Sequence, residues 1–286
     1  MKTSGIAVEQ FNGVAEFLKA INSRPANKVF SDHSLSSETG SYEFTKTHSY
    51  AESADLMAKG YKEGLDKLNA AKSAKITASS KVSKTIPQVG IVGHAPHVPN
   101  AIAGIPQSMI SVTTQTQKSK VVSILYDCTD SCNVRADDFI KSGRNLLDLI
   151  VALETQGCRV ALDMMICACS GSQKVACIIR VKDHRQPINP LKVSYTLIHT
   201  SFFRRQGFKW IETCPLITDE GFRYGYGYPL RTKVKGENTA GCREFLTKSG
   251  VLSKNMFFTN IDEAKRTSSN EELAQKMGMD FKVKKH

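Results

Sequence analysis

The spacing of apolar positions changes character along the chain, and the changes mark out its elements. In VEQFNGVAEFLKAI, Phe11, Val14, Leu18 and Ile21 recur at helical spacing and predict a helix. The polar stretch NSRPANKVFSDHSLSSETGS separates it from SYAESADLMAKGYKEGLDKL. There Ser49 and Glu52 form a capping box, and Ala54, Met57, Tyr61, Leu65 and Leu68 line up as a second helical face. KSAKITASSKVSKTIPQ, rich in Lys, Ser and Thr, predicts a linker or arm. From about residue 88 the apolar runs shorten to IVG and SMISVTT. The prolines and glycines of HAPHVPNAIAGIP, between them, predict an ordered irregular loop and no helix.

The central block carries the clearest pattern. KVVSILYD predicts a mostly apolar strand. ADDFIKSGRNLLDLIVALETQG predicts a helix with Phe139, Gly143, Leu146, Leu147, Ile150 and Leu153 on one side and Gly157 at its end. RVALDMMICAC follows as a near-continuous apolar strand, which completes a βαβ unit and implies a parallel sheet covered on both faces. After the turn SGSQ, KVACIIRVKD predicts a hairpin partner. Asn189 and Pro190 open a helix, LKVSYTLIHTSFFRRQ, with Gly207 as its stop; FKWIETCP then predicts another strand. A glycine–tyrosine loop, a short helix (TAGCREFLTKSG), a last strand (VLSKNMFF) and a terminal helix capped by Ser269 and Glu272 complete the chain. The expected fold is α/β, with a mostly parallel central sheet flanked by helices and further helices at both termini. The expected divisions are 1–85, an N-terminal helical region and linker; 86–260, the α/β core; and 261–286, a C-terminal helix and basic tail.

Composition narrows the functional classes. With 286 residues, 41% hydrophobic and 23% charged, the chain falls in the soluble globular class. No apolar run reaches the roughly 18–20 residues of a membrane span, and the start lacks a secretory apolar region, so a cytoplasmic protein is expected. The eight cysteines lie mostly in apolar strand-like runs and are expected to be free buried thiols; Cys128-x3-Cys132 and Cys167-x-Cys169 are the zinc alternative. His94 and His97 have ligand spacing, but loop packing is the commoner role for such histidines. The net charge of +12 is spread out, with concentrations at 72–84, 204–209, 231–235 and 282–286. It fits weak association with a polyanion or a solvated basic surface.

Candidate chemistry centres on YDCTDSC, directly after the strand KVVSIL. Ligands of open parallel sheets bind at the carboxyl ends of strands. A carboxylate at Asp127 with hydroxyls at Thr129 and Ser131 can converge on Mg2+ or Mn2+ if the turn is tight. The competing reading is local, with Thr129 or Ser131 capping the next helix and Asp127 accepting backbone N–H bonds. Enzyme motifs are missing: there is no phosphate-binding glycine loop after a strand and no nucleophile elbow, and Cys128 with a distant His184 or His199 is explained by chance.

The stretch VVSILYDCTDSC…GRNLLDLIVALETQGCRVALDMM resembles the opening βαβ of a von Willebrand factor A-type domain, whose metal-ion-dependent adhesion site begins D-x-S-x-S. Asp127, Thr129 and Ser131 match that motif, with Thr in the middle position. The resemblance implies a non-enzymatic protein-binding module, a bound Mg2+ or Mn2+ that accepts a partner carboxylate, and partners such as an AAA+ ATPase. The later acidic ligand of that family has Asp183 as its candidate here, with Asp219 a second. A wider resemblance, over residues 44–208, is to a family of uncharacterised phage and prophage proteins. FTKTHSYAESADLMAKGYKEGLDKL, HVPNAIAGIPQSM and HTSFFRRQGF carry it. It implies a phage-encoded protein in a bacterial host, with a phage or host protein as partner. The alternative is a nucleic-acid-binding protein or a virion structural component. For it, Arg204, Arg205, Lys209, Arg223, Tyr224, Tyr226, Tyr228 and Arg231 alternate charge with stacking surfaces; the competing reading makes these aromatics core and loop pins.

Overall fold

The computed structural model describes residues 2–3, 5–30, 35–69, 84–115, 120–129 and 134–279. They fall into two units, Met1–Ser79 with Val121–His286, and Ser80–Lys120 inserted between them. This division differs from boundaries at 85/86 and 260/261, because both ends of the chain contribute to the larger unit.

The chain enters the larger unit as strands, not as the expected continuous helix. β1 (Lys2–Thr3) and β2 (Ile6–Phe11) precede α1 (Val14–Ser23), so Phe11 ends a strand. Asn12 and Gly13 break the two apart, and the Glu16 carboxylate accepts the Asn12 N–H at 2.8 Å. α2 (Ser36–Thr39), α3 (Tyr42–Thr45), α4 (Tyr50–Lys59) and α5 (Lys62–Asn69) follow. The Ser49 half of the expected capping box forms, with Ser49 Oγ accepting the Glu52 N–H; the Glu52 carboxylate reaches one residue further back and accepts the His48 N–H at 2.6 Å.

The smaller unit contains β3 (Lys84–Gly90), β4 (Ala95–Pro96), α6 (Val98–Ile102) and β5 (Met109–Gln115), in a three-stranded antiparallel sheet of order β3-β5-β4. Part of the expected linker is therefore a strand, and a short helix with Pro99 in its first turn stands where an irregular loop is expected.

The larger unit resumes with β6 (Val121–Asp127), α7 (Ala136–Thr155), β7 (Arg159–Ser170) and β8 (Gln173–Lys182). Next come α8 (Pro190–Ile198), a π-helical turn over Phe202–Gly207, α9 (Phe208–Thr213), α10 (Thr239–Lys248), β9 (Met256–Asn260), α11 (Ile261–Arg266) and α12 (Asn270–Lys276). The sheet order is β1-β2-β8-β7-β6-β9. β6 pairs parallel with β7 and β9, β2 pairs parallel with β8, and β7/β8 form the expected antiparallel hairpin. This is an α/β fold with a mostly parallel sheet flanked by helices.

Alternation along the strands divides the core in two. Ile124, Tyr126, Leu162, Met164 and Ile166 face a cluster that includes Phe17, Leu146, Leu147 and Trp210. Leu125, Met165, Cys167 and Phe258 face Leu230, Cys242 and Leu246 on the other side. β7 is apolar at nearly every position because both of its faces are buried.

FKWIETCP is helical, not a strand. Gly207 does not stop the preceding helix; its φ is −64, within the helix. A Cβ at Gly207 would lie 2.9 Å from Phe203 and 3.2 Å from Ile166, so the glycine allows the helix to approach β7.

A chain of buried hydroxyls ties α4 to this region. Gln206 Nε2 donates to Ser53 Oγ; Ser53 Oγ lies 2.5 Å from Tyr195 Oη, Tyr195 Oη 3.0 Å from Ser201 Oγ, and Ser201 Oγ 2.7 Å from His199 Nδ1. Burial, then the Lys67 ammonium, hold the His199 pKa down to about 4. Between pH 6.5 and 4 the unfolded chain takes up a proton here that the folded chain refuses. The stabilising contribution is thus present above pH 6.5 and lost as pH falls towards 4, at most about 3 kcal/mol. Urea unfolding at pH 7 and pH 4.5 should show a fall in stability that is smaller in His199→Gln than in the wild type.

Candidate functional site

The carboxyl end of β6 continues its pairing with β7 past the last strand residue. Cys128 donates its N–H to Met165 O at 3.0 Å, and its thiol also reaches that oxygen. Asp127 is buried, and its Oδ1 accepts the Thr129 N–H at 2.9 Å. Thr129 Oγ1 in turn accepts the Cys167 N–H at 2.7 Å. These are the local roles that small polar residues take at a strand end. Ser131 lies outside the described residues, as does Cys132. Asn260 stands opposite Asp127 in the β6/β9 register, with Oδ1 accepting the Glu263 N–H and the Thr239 hydroxyl.

Thiols surround this carboxylate. The hydrogen bond with Cys169, then burial, raise the Cys167 thiol well above its usual range, and Asp127 adds to the rise. Burial and then Asp127 push Cys242 up to about 12. Among the described residues no group of three His, Cys, Asp or Glu side chains is placed to hold a metal ion, His94 and His97 included.

The expected metal set does not assemble. Asp183 follows β8, which runs against β7, so it sits near the start of β7 while Asp127 ends β6 beside Met165. Its carboxylate accepts the Arg185 N–H and lies beside Arg180, which lowers its pKa, the Arg185 hydrogen bond first. Asp219 caps a turn through the Gly221 N–H at 2.7 Å. Asp127 and Thr129 are engaged with backbone N–H groups, and Ser131, the third member of the set at this strand end, lies outside the described residues.

The basic aromatic segment resolves into core and surface. Arg205 is fully buried and donates to Thr47 Oγ1 and to the carbonyls of Ser37, Gly40 and Thr47 at 2.7–3.0 Å. Arg204 donates to Phe44 O and Val134 O and lies over the Phe44 ring. Tyr226 stacks between Phe30 and Phe208, accepts the Ser36 N–H and donates to Glu212. These three hold the 36–47 segment in place, which corrects their assignment to a nucleic-acid surface. Lys209 is ion-paired with Glu38, and Arg231 with Asp262. Arg223 is half-buried, Tyr224 is 84% exposed, and Tyr228 is exposed with Lys233 over its ring. The glycine–tyrosine loop therefore supplies the exposed members of the set.

The inserted unit holds a surface that the hydrophobic pattern alone did not flag. From Thr85 to Gln117 there is no Asp, Glu, Lys or Arg. Val89, Ile91, Val92, Val98, Ile102, Ile105 and Val112 are 44–82% exposed. The β3/β5 register pairs Val89 with Ile110 and Pro87 with Val112, and so places these four on one face. The readable signal was the absence of charge, not the apolar spacing.

A family model described as a domain of unknown function (DUF7192) matches residues 2–282. The chain belongs to the DUF7192 family. Comparisons with curated proteins and with solved structures give no match. Among the described residues of this DUF7192 chain, no helix is long and apolar enough to cross a membrane.

One outcome follows from the polar geometry. Arg205→Met should lower unfolding free energy by about 3 kcal/mol or more in urea titration, because several buried carbonyls lose their donor.

Proposed function

We propose that this chain is a non-enzymatic protein-binding module of phage type, with a von Willebrand A-like core that carries the inserted unit as its contact element. The observation that supports it is the apolar surface between Val89 and Val112, within a stretch of sequence that carries no Asp, Glu, Lys or Arg. Interface centres are depleted of charge, and a monomer rarely exposes a contiguous apolar patch beyond about 300–600 Å². Seven large apolar side chains gathered within one short ordered unit suit burial against a protein surface of the same chemistry. The α/β sheet is of the class that the von Willebrand A resemblance implies.

The mode of contact is constrained by the strand edge. β3 lies at the edge of the three-stranded sheet and contains Pro87, which has no N–H to offer an added strand. A face contact through the exposed valines and isoleucines is therefore favoured over strand addition. Ile91 and Ile102 are exposed, so changing them leaves the packed core untouched.

A benzophenone amino acid placed at Ile91 or Ile102 in the full chain, illuminated in the producing cells, should give covalent protein adducts at both positions. The same group at Tyr224, exposed on the larger unit, should give none. Loss of adducts at both isoleucines, with the chain folded, would sink this reading.

A further inference from the structure

The stretches that carry the phage resemblance near residues 44–65 and 199–208 are far apart in sequence and meet at one cleft of about 380 Å³. That volume lies within the range of small-molecule sites. Ile140, Ile198 and Leu56 supply apolar lining, and Tyr61, Lys67 and His199 supply polar groups.

His199 sits where the chain leaves α8 in extended conformation, and is 7% exposed. The Ser201 N–H donates to its Nδ1 at 3.2 Å, so Nδ1 carries the lone pair and the proton of the neutral ring is on Nε2. The hydroxyl chain agrees with this assignment. Gln206 Nε2 donates to Ser53, and the hydroxyl protons can then run from Ser53 to Tyr195, from Tyr195 to Ser201 and from Ser201 to His199 Nδ1. Nε2–H is left as a donor on the cleft side, with no acceptor among the described residues.

Two further donors stand beside it. The Tyr61 ring meets the His199 ring edge-on at 4.8 Å. The Lys67 ammonium is 3.3 Å from Tyr61 Oη and acts on His199 through its charge. Since Lys67 donates to Tyr61, the phenol proton is available to another acceptor. Three acids also line the cleft. Glu52 accepts the His48 N–H and acts on His199 through its charge, opposite in sign to Lys67, while Glu63 and Asp137 are exposed.

We infer that this cleft binds the carboxylate of a small ligand, held by His199 Nε2–H, the Tyr61 hydroxyl and the Lys67 ammonium. His199 Nε2–H, the Tyr61 hydroxyl proton and the ammonium protons that Lys67 does not spend on Tyr61 fit an oxyanion, and charge-assisted bonds of this kind are the strong ones. Glu52, Glu63 and Asp137 oppose a dianion, which favours a singly charged carboxylate over phosphate. A cation is excluded from the same corner because all three groups present hydrogen.

The test uses the full chain labelled with 15N at its histidines, with His199 assigned by comparison with His199→Gln. Its ring should show the Nε2–H tautomer from pH 5.5 to 8. Sodium acetate should shift that signal saturably, while sodium chloride at equal ionic strength should not, and phosphate should bind more weakly than acetate. Lys67→Met, a change at an exposed side chain, should raise the half-saturating acetate concentration by about tenfold, and Tyr61→Phe by about threefold. A proton on Nδ1, equal shifts from acetate and chloride, tighter binding of phosphate, or unaltered acetate binding in Lys67→Met would each overturn the inference.

Discussion

A strand buried on both faces must be covered twice, and β7 is in that position. Met164 and Ile166 need a layer of helices on one side; Met165 and Cys167 need another on the opposite side. α7 covers the first face and α10 the second. Even the N-terminal strand β2 is drawn in, because β8 offers it an open parallel edge. The same demand places α9 against β7, with Gly207 as the point of closest approach.

Much of the positive charge serves the interior. Arg204 and Arg205 bind backbone carbonyls of the 36–47 segment and of Val134. Lys182 is buried with Glu154 and also donates to the carbonyls of Val160 and Gln186. Asp163 pairs with Arg180 across the β7/β8 hairpin. A guanidinium or ammonium bound in this way is an organiser of loops that have no regular hydrogen bonding of their own. The net charge of +12 therefore overstates the basic character of the surface.

The inserted unit and the cleft differ in kind. One has apolar side chains outside and no charge, which suits a broad contact. The other has few apolar side chains at its lining and directed donors, which suits a small ligand. The strand end at Asp127, where the sequence concentrates attention, is built differently from both. Its carboxylate and hydroxyl are engaged with Thr129 and Cys167 backbone N–H groups, and they knit β6 to β7.

Spacing alone was enough for α7, the β6–α7–β7 unit, the β7/β8 hairpin and the caps at Ser49, Asn189 and Ser269, because each depends on residues near one another in the chain. It also showed that β7 would have no solvent face. It did not separate β2 from α1, since Phe11, Val14, Leu18 and Ile21 keep helical spacing straight across the break at Asn12 and Gly13. It did not make FKWIETCP helical, because that outcome depends on β7 accepting the helix at Gly207. The fates of Arg205 and Tyr226 were likewise beyond it: whether a cation or phenol faces water depends on carbonyls and rings brought in from residues 30–47. The assembly of His199, Tyr61 and Lys67 belongs to the same class. Local periodicity determines which element forms, whereas the neighbours of a polar side chain are decided by contacts across more than a hundred residues of chain.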